Sequence, residues 1–278
     1  MIATSSDTDL KTFARNRFHH GQLLTEQSFN LEQYYFKEKI WLGNRLVTGY
    51  GVVCGLDVRL AEDRCSVYVT PGVAIDKWGR EIIVTSDTEP IPLPREQGPE
   101  GGGEGYGEKG GEGEERQERR DERWQERHEH RQDDDEQDYV QVMLCFHECL
   151  SDPQPVVVSD CGCEETCAAA VIRERYKVVL RPGKAPEVPH HCRFPDVIAG
   201  DHIDYGSLAR WVTQECARVR GDGCIPLANV RLPRARGRCE AGDVDITVRP
   251  IVYTNDLLFE LILGLMDEWQ PRQRGGKF

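Results

Sequence analysis

Residues 49–60, GYGVVCGLDVRL, mark the point at which a predicted helix gives way to a predicted sheet. Gly49 and Gly51 provide the backbone freedom that ends a helix. After them, apolar residues alternate up to Leu60, which is the period of a half-buried strand. Before them, apolar residues recur at helical spacing over residues 26–46. The stretch therefore predicts a long amphipathic N-terminal helix that leads into antiparallel strands.

Further strands and helices are predicted along the rest of the chain. Thr25, Ser28 and Asn255 are candidate helix caps, and residues 77–79 form a candidate turn between two strands. The predicted strands are residues 66–70, 73–76, 81–85, 139–149, 176–180, 225–232 and 244–248, with helices at 204–219 and 256–269. The last helix carries an apolar stripe of Leu258, Leu261, Ile262 and Leu265. Together these elements predict an α+β fold with mostly antiparallel strands and a C-terminal helix.

Composition divides the chain into five parts. We expect a flexible N-terminus at residues 1–17, a helix plus β-meander at 18–95, and a Cys-containing α+β part of the same fold at 139–270, followed by a flexible tail at 271–278. Between the two folded parts, residues 96–138 are rich in Gly, Glu and Arg and carry a net charge of −10, out of −13 for the whole chain. Such a segment cannot bury enough apolar surface to offset its ordering entropy, so it is predicted to be a disordered acidic insertion.

The net charge and hydropathy exclude two classes of partner. A net charge of −13 opposes long-range attraction to nucleic acid. The longest apolar run, residues 257–266, is about half the length that crosses a bilayer and is interrupted by Glu260. Residues 1–17 lack the apolar core and cleavage site of a secretory signal. We therefore expect no nucleic-acid binding, no membrane span and folding in the cytoplasm.

The eleven cysteines require an explanation. In a reducing cytoplasm, free thiols or a thiolate metal site are favoured over disulfides. Cys161, Cys163 and Cys167 place three sulfurs in seven residues of a predicted loop, and Cys149 at the end of the preceding strand completes the most compact tetrad. Zinc takes four such ligands in a tetrahedron. Cys149, Cys161, Cys163 and Cys167 are therefore the predicted metal ligands of a structural zinc site.

Other interpretations of the cysteines remain open. Cys145, His147 and Cys149 share one face of a strand, but positions two residues apart there are separated by about 6.5 Å, so all three cannot bind one ion. The substitute ligands for the tetrad are His190, His191 and Cys192. Cysteines that are explained as small core residues are Cys54, Cys65, Cys216 and Cys224. A disulfide in the 161–167 loop, formed after release from the cell, is a further alternative.

The sequence contains no recognisable catalytic set. A Walker loop, a dinucleotide fingerprint, a G-x-S-x-G elbow and an H-E-x-x-H zinc motif do not occur. No pair of carboxylates is singled out by its spacing as an acid and base. We therefore predict no catalytic residues, no cofactor apart from the structural zinc, and no enzymatic activity.

Several motifs resemble a known family. They are FHHGQLLT (18–25), EQYY (32–35), NR (44–45), GYGVVCGL (49–56) and PGVAID (71–76). Two further stretches look like later parts of the same family. They are residues 161–167 followed by IRE (172–174), and the ending RPIVYTNDLL (249–258). The family comprises uncharacterised proteins encoded with phage-tail-like particles, the extracellular contractile injection systems. The 96–138 insertion departs from the shorter loop that the family implies there.

The resemblance implies a non-enzymatic structural or adaptor protein of a contractile tail, at the baseplate, the fibre attachment or the cap. Its partners would be other proteins of the particle, with the chain oligomeric in the assembly and cytoplasmic until the particle is complete. Two other functions remain open: a zinc-dependent hydrolase that acts on cell-wall or effector material, and a fibre-type surface-binding module with Trp78 exposed on a hairpin tip.

The first predicted helix carries apolar residues on more than one face. Phe29 and Phe36 lie apart from Leu31, Tyr35 and Trp41. One face could pack on the sheet while the other packs on a neighbouring protein, or both could be buried within the chain. The sequence alone leaves these two alternatives open.

Overall fold

The computed structural model describes residues 12–94, 138–155, 167–188, 198–199, 202–213, 219, 221–233 and 237–274. The α-helices among them are α1 Glu26–Gly43, α2 Tyr205–Val212 and α3 Asn255–Arg274. A π-helical segment, Asn44–Thr48, continues α1, and residues Ala241–Asp243 form a short 3-10 helix. The strands are β1 Gly51–Gly55, β2 Val58–Leu60, β3 Ser66–Val69, β4 Gly72–Ile75, β5 Glu81–Val84, β6 Ile91–Pro92, β7 Tyr139–Pro155, β8 Cys167–Pro182, β9 Ile198–Ala199, β10 His202–Ile203, β11 Ile225–Arg231 and β12 Val244–Asp245. All strand pairings between these elements are antiparallel, and the α+β class is confirmed.

The strand predicted at residues 52–60 is wrong as a single element. It divides into β1 and β2 because Gly55 and Leu56 both adopt a left-handed backbone, with φ values of 65° and 57°. A Cβ at Gly55 would lie 2.1 Å from the Pro71 carbonyl oxygen, so only glycine fits there. The bend sends β1 into the sheet β1-β4-β5 and β2 into the sheet β2-β3-β6.

The largest sheet has the order β12-β11-β7-β8 and contains a long hairpin. Pairing between β7 and β8 runs from Val140 opposite Pro182 to Pro155 opposite Cys167. Both strands extend well beyond the predicted ranges 139–149 and 176–180. Alternation does not reveal this extension, because the outer half of the hairpin is exposed on both faces.

One apolar core lies between the sheets and draws on both sides of the predicted insertion. Leu56, Val67 and Ile82 come from the N-terminal part, and Leu144 and Leu227 come from the C-terminal part. These side chains are almost completely buried. The insertion itself, residues 96–138, lies outside the described residues except for Asp138.

Local hydrogen bonds set the helix ends. Thr25 is the N-cap of α1, as predicted, whereas Ser28, the other candidate, lies inside the helix. The Thr25 backbone N–H donates to Ser28 Oγ at 3.5 Å. At α3 the predicted cap is wrong, because Thr254 Oγ1 accepts the Leu257 N–H at 3.2 Å and Asn255 is already helical. Asp204 caps α2 by accepting the Gly206 N–H at 2.9 Å. The remainder of the helix predicted at 204–219 lies largely outside the described residues.

The strand predicted at residues 244–248 is also shorter than expected. It ends at Asp245, whose carboxylate accepts the Thr247 N–H at 2.9 Å and turns the chain. The chain then passes beside β1, where the Val52 N–H donates to the Pro250 carbonyl at 2.8 Å. The base of α3 is therefore held against the strand that follows α1.

Candidate protein-interaction surface

A stripe of exposed side chains runs along α1. Phe29, Gln33, Phe36, Ile40 and Gly43 recur at intervals of four, three, four and three residues, and all five are exposed. The large members Phe29, Phe36 and Ile40 leave 57%, 56% and 54% of their surface in solvent. We call these five residues the α1 seam. Residues at this spacing lie in one line on a helix, which is the pattern of helix–helix packing.

The opposite face of α1 is anchored to the β-strands. The Trp41 ring meets the Phe146 ring of β7 edge to face, with centroids 6.4 Å apart. Lys37 Nζ lies 3.7 Å from a carboxylate oxygen of Glu148. Close approach is possible because residue 79 is glycine, since a Cβ there would lie 2.0 Å from the Trp41 carbonyl oxygen. These contacts fix the direction in which the α1 seam faces.

The turn under α1 is built on a buried carboxylate. Asp76 has no solvent exposure and accepts hydrogen bonds from the backbone N–H groups of Trp78 and Arg80 at 2.8 and 2.9 Å. It also accepts one from Arg80 Nε at 2.6 Å. Burial raises the pKa of Asp76, although the Arg80 guanidinium and the backbone donors oppose the rise. The same guanidinium lies 4.5 Å from the Phe146 ring centroid, so the turn and the helix anchor share one cluster.

Trp78 does not form the exposed tip that the sequence suggested. It is half-buried, and a Cβ at Gly223 would lie 2.4 Å from its Cδ1. The indole therefore packs against the segment that leads into β11. The exposed aromatic rings lie elsewhere, and those on the helices include Phe29, Phe36 and Phe259.

Helix α3 is apolar on every side over residues 257–266, with only Glu260 and Gly264 as exceptions. None of its side chains described, those of residues 255–266, is buried. Every member of the predicted stripe is exposed, with 43–64% of its surface in solvent: Leu258, Leu261, Ile262 and Leu265. None of the helices in the described ranges is long and apolar enough to span a membrane. A helix that is hydrophobic all round is normally enclosed by protein.

The predicted zinc tetrad is not assembled by the strands. Cys149 lies opposite Arg173, whereas Cys167 lies opposite Pro155, six residues further along the hairpin. This offset corresponds to about 20 Å, far more than the spacing of two ligands on one ion. One zinc ion therefore cannot bind both Cys149 and Cys167 in this hairpin. Cys161 and Cys163 lie outside the described residues, as do His190, His191 and Cys192, so a thiolate site without Cys149 stays a prediction.

Among the described residues, no group of three or more His, Cys, Asp or Glu side chains is placed to hold a metal ion. Cys54 was interpreted as a core residue, but it is exposed, and Cys65 is only half-buried. Cys239 is buried and its Sγ donates to the Arg231 carbonyl at 3.6 Å. Burial raises the pKa of this thiol, as does the nearby Asp243 carboxylate.

Cys145 and Cys224 form a disulfide, which the preference for free thiols did not predict. Cys145 lies on β7 and Cys224 immediately precedes β11, next to the paired residues Leu144 and Ile225. The Cα atoms of the two cysteines are 4.3 Å apart. A reducing cytoplasm favours free thiols, and the sequence predicts Cys224 to be a small core residue. The pairing depends on strand register, which the sequence does not reveal.

A cavity of about 470 Å³ opens beside β11 and β12. Its lining includes Lys184, whose Nζ lies 4.1 Å from the Tyr139 ring centroid. The lining holds three carboxylates, of which Glu187 is exposed to solvent. Asp243 accepts the Glu240 N–H at 2.7 Å, and Asp245 accepts a backbone N–H at the turn after β12. Asp243 and Asp245 therefore stabilise the local backbone.

The chain matches no protein-family model and no curated protein in sequence comparison. Function is therefore inferred from the surfaces described above and from the resemblance in the sequence. The sequence leaves open whether the second apolar face of α1 is buried within the chain. In the structure this face is exposed to solvent.

Proposed function

We propose that this chain is a non-enzymatic structural or adaptor component of a contractile phage-tail-like injection particle. It acts at the baseplate, the fibre attachment or the cap by packing against other proteins of the particle. The single observation that supports packing most strongly is the pair of exposed apolar surfaces on α1 and α3, each joined to a well-packed body. The assignment to a tail-like particle rests on the sequence resemblance.

The energy available from these surfaces is large enough for stable association. Fully burying one large apolar side chain contributes about 1.5–3 kcal/mol. Phe29, Phe36 and Ile40 on α1, together with Ile262 and Leu265 on α3, each expose about half of their surface or more. Contiguous exposed apolar surface of this kind is typical of protein–protein contact sites.

The arrangement of α1 fits an adaptor. We interpret α1 as a long amphipathic helix with two different faces. Its anchored face contacts the β-strands, and the α1 seam is exposed and available to a neighbouring protein. Trp41 and Lys37 hold the helix on β7, so the seam is presented in a defined direction. Such a helix binds with little loss of conformational entropy, because it is already ordered. We propose that assembly takes place in the cytoplasm, in which case the Cys145–Cys224 disulfide would form after release from the cell.

Purification of intact particles from cells that produce the chain tests the proposal. We expect mass spectrometry to find the wild-type chain and a Gln27→Glu control in the particle fraction, and to find Phe36→Glu strongly depleted there. Gln27 is an exposed polar residue of α1 outside the seam, so the control adds the same charge to the same helix. Absence of the wild-type chain from purified particles would contradict the proposal.

The predicted structural zinc is tested separately. Elemental analysis of anaerobically purified protein should find zinc, which Cys161→Ser would remove and Cys149→Ser would retain, because the hairpin register separates Cys149 from Cys167. Protein without bound zinc would contradict the metal site while leaving the proposed packing function intact.

A further inference from the structure

We infer that Cys65 and Cys239 form a second disulfide when the folded protein meets an oxidant. Both thiols are free in the structure, so this bond is an additional oxidation step. The two cysteines come from opposite sides of residues 96–138 in the sequence. The bond therefore joins the two folded parts of the chain covalently. This inference goes beyond the proposed packing function and does not depend on it.

Cys65 lies in the tight turn between β2 and β3, where its backbone is fixed on both sides. The Asp63 carboxylate accepts the Cys65 N–H at 2.9 Å, and the Cys65 carbonyl accepts the Leu93 N–H at 2.8 Å. The preceding residue, Arg64, adopts a left-handed backbone with a φ of 54°. The Cys65 side chain is half-buried, so its sulfur remains accessible to a small molecule in solvent.

Cys239 lies directly beside this turn. Its backbone N–H donates to the Arg64 carbonyl at 3.0 Å, which is the carbonyl of the peptide group that joins Arg64 to Cys65. A backbone hydrogen bond of this kind holds two chain segments about 5 Å apart. The Cα atoms of a disulfide are separated by about 4.4–6.8 Å. The backbones of Cys65 and Cys239 are therefore at the separation that a disulfide requires.

The side chains of the two cysteines lie within electrostatic range of each other. Cys239 is fully buried in the apolar core, where its Sγ donates to the Arg231 carbonyl at 3.6 Å. Burial raises the pKa of the Cys239 thiol, and the charges of the Asp243 carboxylate and of a Cys65 thiolate raise it further. The effect of Cys65 requires the two sulfurs to be near neighbours, in agreement with the backbone hydrogen bond.

The Cys145–Cys224 disulfide does not provide the same link. Both of its cysteines follow residue 138, so it closes a loop within the C-terminal part of the chain. A bond between Cys65 and Cys239 instead crosses the predicted insertion. After a protease cut within residues 96–138, the two parts of the chain would stay joined until a reductant is added.

The bond forms by thiol–disulfide exchange with a small-molecule disulfide such as oxidised glutathione. The more accessible Cys65 thiolate attacks one glutathione sulfur, so a mixed disulfide forms and one glutathione thiolate leaves. Cys239 then attacks the Cys65 sulfur and displaces the second glutathione, whose thiolate takes up the Cys239 proton. In total two protein thiols are oxidised and one small disulfide is reduced to two thiols. Burial of Cys239 makes the second step the slower one.

Peptide mapping of the full-length chain tests the inference. The folded protein is treated with oxidised glutathione, unfolded in the presence of iodoacetamide and digested with trypsin without a reductant. Trypsin releases peptides 65–77 and 239–272, each of which holds one cysteine. We expect mass spectrometry to find these two peptides joined, and alkylation of Cys239 to be lost relative to the untreated protein. Adding a reductant should separate the two peptides.

Matched controls distinguish a site built by the fold from random oxidation. Cys54→Ser removes an exposed thiol outside the pair and should retain the joined peptides, whereas Cys65→Ser should leave Cys239 fully alkylated. Replacing both Cys145 and Cys224 with Ser should also retain them. Oxidation of the chain in urea should distribute Cys65 among several partners, because the Cys239 backbone is then no longer held beside it.

Three results for oxidised wild type would overturn the inference. They are a Cys239 that is still alkylated, a Cys65 that stays joined to glutathione, and either cysteine joined mainly to a different peptide. Because the joined peptides are measured in wild type, a variant that fails to fold does not affect this outcome. Absence of the bond would leave the proposed packing function intact, since that function is tested by the content of purified particles.

Discussion

The β-sheet body and the two long helices contain similar apolar residues in very different surroundings. Leu144 and Leu227 in the body have no exposed surface, whereas Ile262 and Leu265 of α3 expose 54% and 64%. The body is closed by its own chain, since strands from both halves enclose one core. The difference indicates that the body residues are packed by their own chain, whereas among the described residues nothing encloses those of the helices.

The largest expected difference between the two regions is in unfolding free energy. Leu144→Ala should destabilise the protein by about 4 kcal/mol, because it leaves a cavity in a fully packed core. Leu265→Ala should change stability by less than about 0.5 kcal/mol in the monomer. Urea denaturation of both variants at low protein concentration makes the comparison. Equal losses of unfolding free energy for Leu144→Ala and Leu265→Ala would mean that α3 packs within its own chain.

The disulfide should contribute about 4 kcal/mol to the stability of the body, because it links residues 79 apart in the sequence. Replacing both Cys145 and Cys224 with Ser should lower the urea midpoint, and adding a reductant to wild type should lower it similarly. Cys54→Ser, an exposed free thiol, is the control and should change little. A wild type insensitive to reductant would show that this pair does not stabilise the body.

The buried carboxylate under α1 should have a smaller effect. Asp76→Ala removes the acceptor of three hydrogen bonds and should cost about 2 kcal/mol, together with faster hydrogen exchange in the C-terminal half of α1. Since Trp41 contacts the same cluster through Phe146, Trp41→Ala should accelerate that exchange with less effect on the body. Unchanged hydrogen exchange of α1 in both variants would mean that neither the turn at Asp76 nor the Trp41 contact stabilises the helix.

The raised pKa of Asp76 gives this group a pH dependence of known sign. The folded state binds the proton more tightly than the unfolded state, so its contribution to stability is complete below the ordinary aspartate pKa and falls as pH rises through the raised value. Asp76→Asn does not titrate there. The stability of wild type relative to Asp76→Asn should therefore decrease from acidic to neutral pH in urea titrations. An increase would contradict the direction of the shift.

The smallest effect concerns thiol reactivity and leaves stability unchanged. At neutral pH, iodoacetamide should modify exposed Cys54 well before buried Cys239, whose pKa is raised. Peptide mass spectrometry over time measures the order. Early labelling of Cys239 would indicate that the body opens near β11 more readily than its packing suggests.

Local patterns predicted much of the fold. The Thr25 start of α1 and the turn at residues 77–79 follow from capping and turn chemistry within a few residues. The break at Leu56, the Cys145–Cys224 pair and the full length of the β7–β8 hairpin could not be predicted. Each depends on which strand lies beside which, and alternation along a single strand carries no information about its neighbour.

The candidate surface was predictable only in part. Helical spacing separates Phe29 and Phe36 from Leu31 and Tyr35, so two apolar faces on α1 were expected. Which face is covered depends on the position of β7, and periodicity does not encode it. For α3, the stripe through Leu258 and Leu265 is visible in the sequence. That every member of the stripe is exposed follows from where β1 holds the base of the helix.

A density map of the assembled particle tests most directly whether the two exposed helices are the interaction surface. We predict that Phe36 of α1 and Ile262 of α3 are both buried against protein from outside their own chain, while the β-sheet body keeps the fold described above. A map in which the chain occupies the particle with α1 and α3 both facing solvent would contradict that prediction.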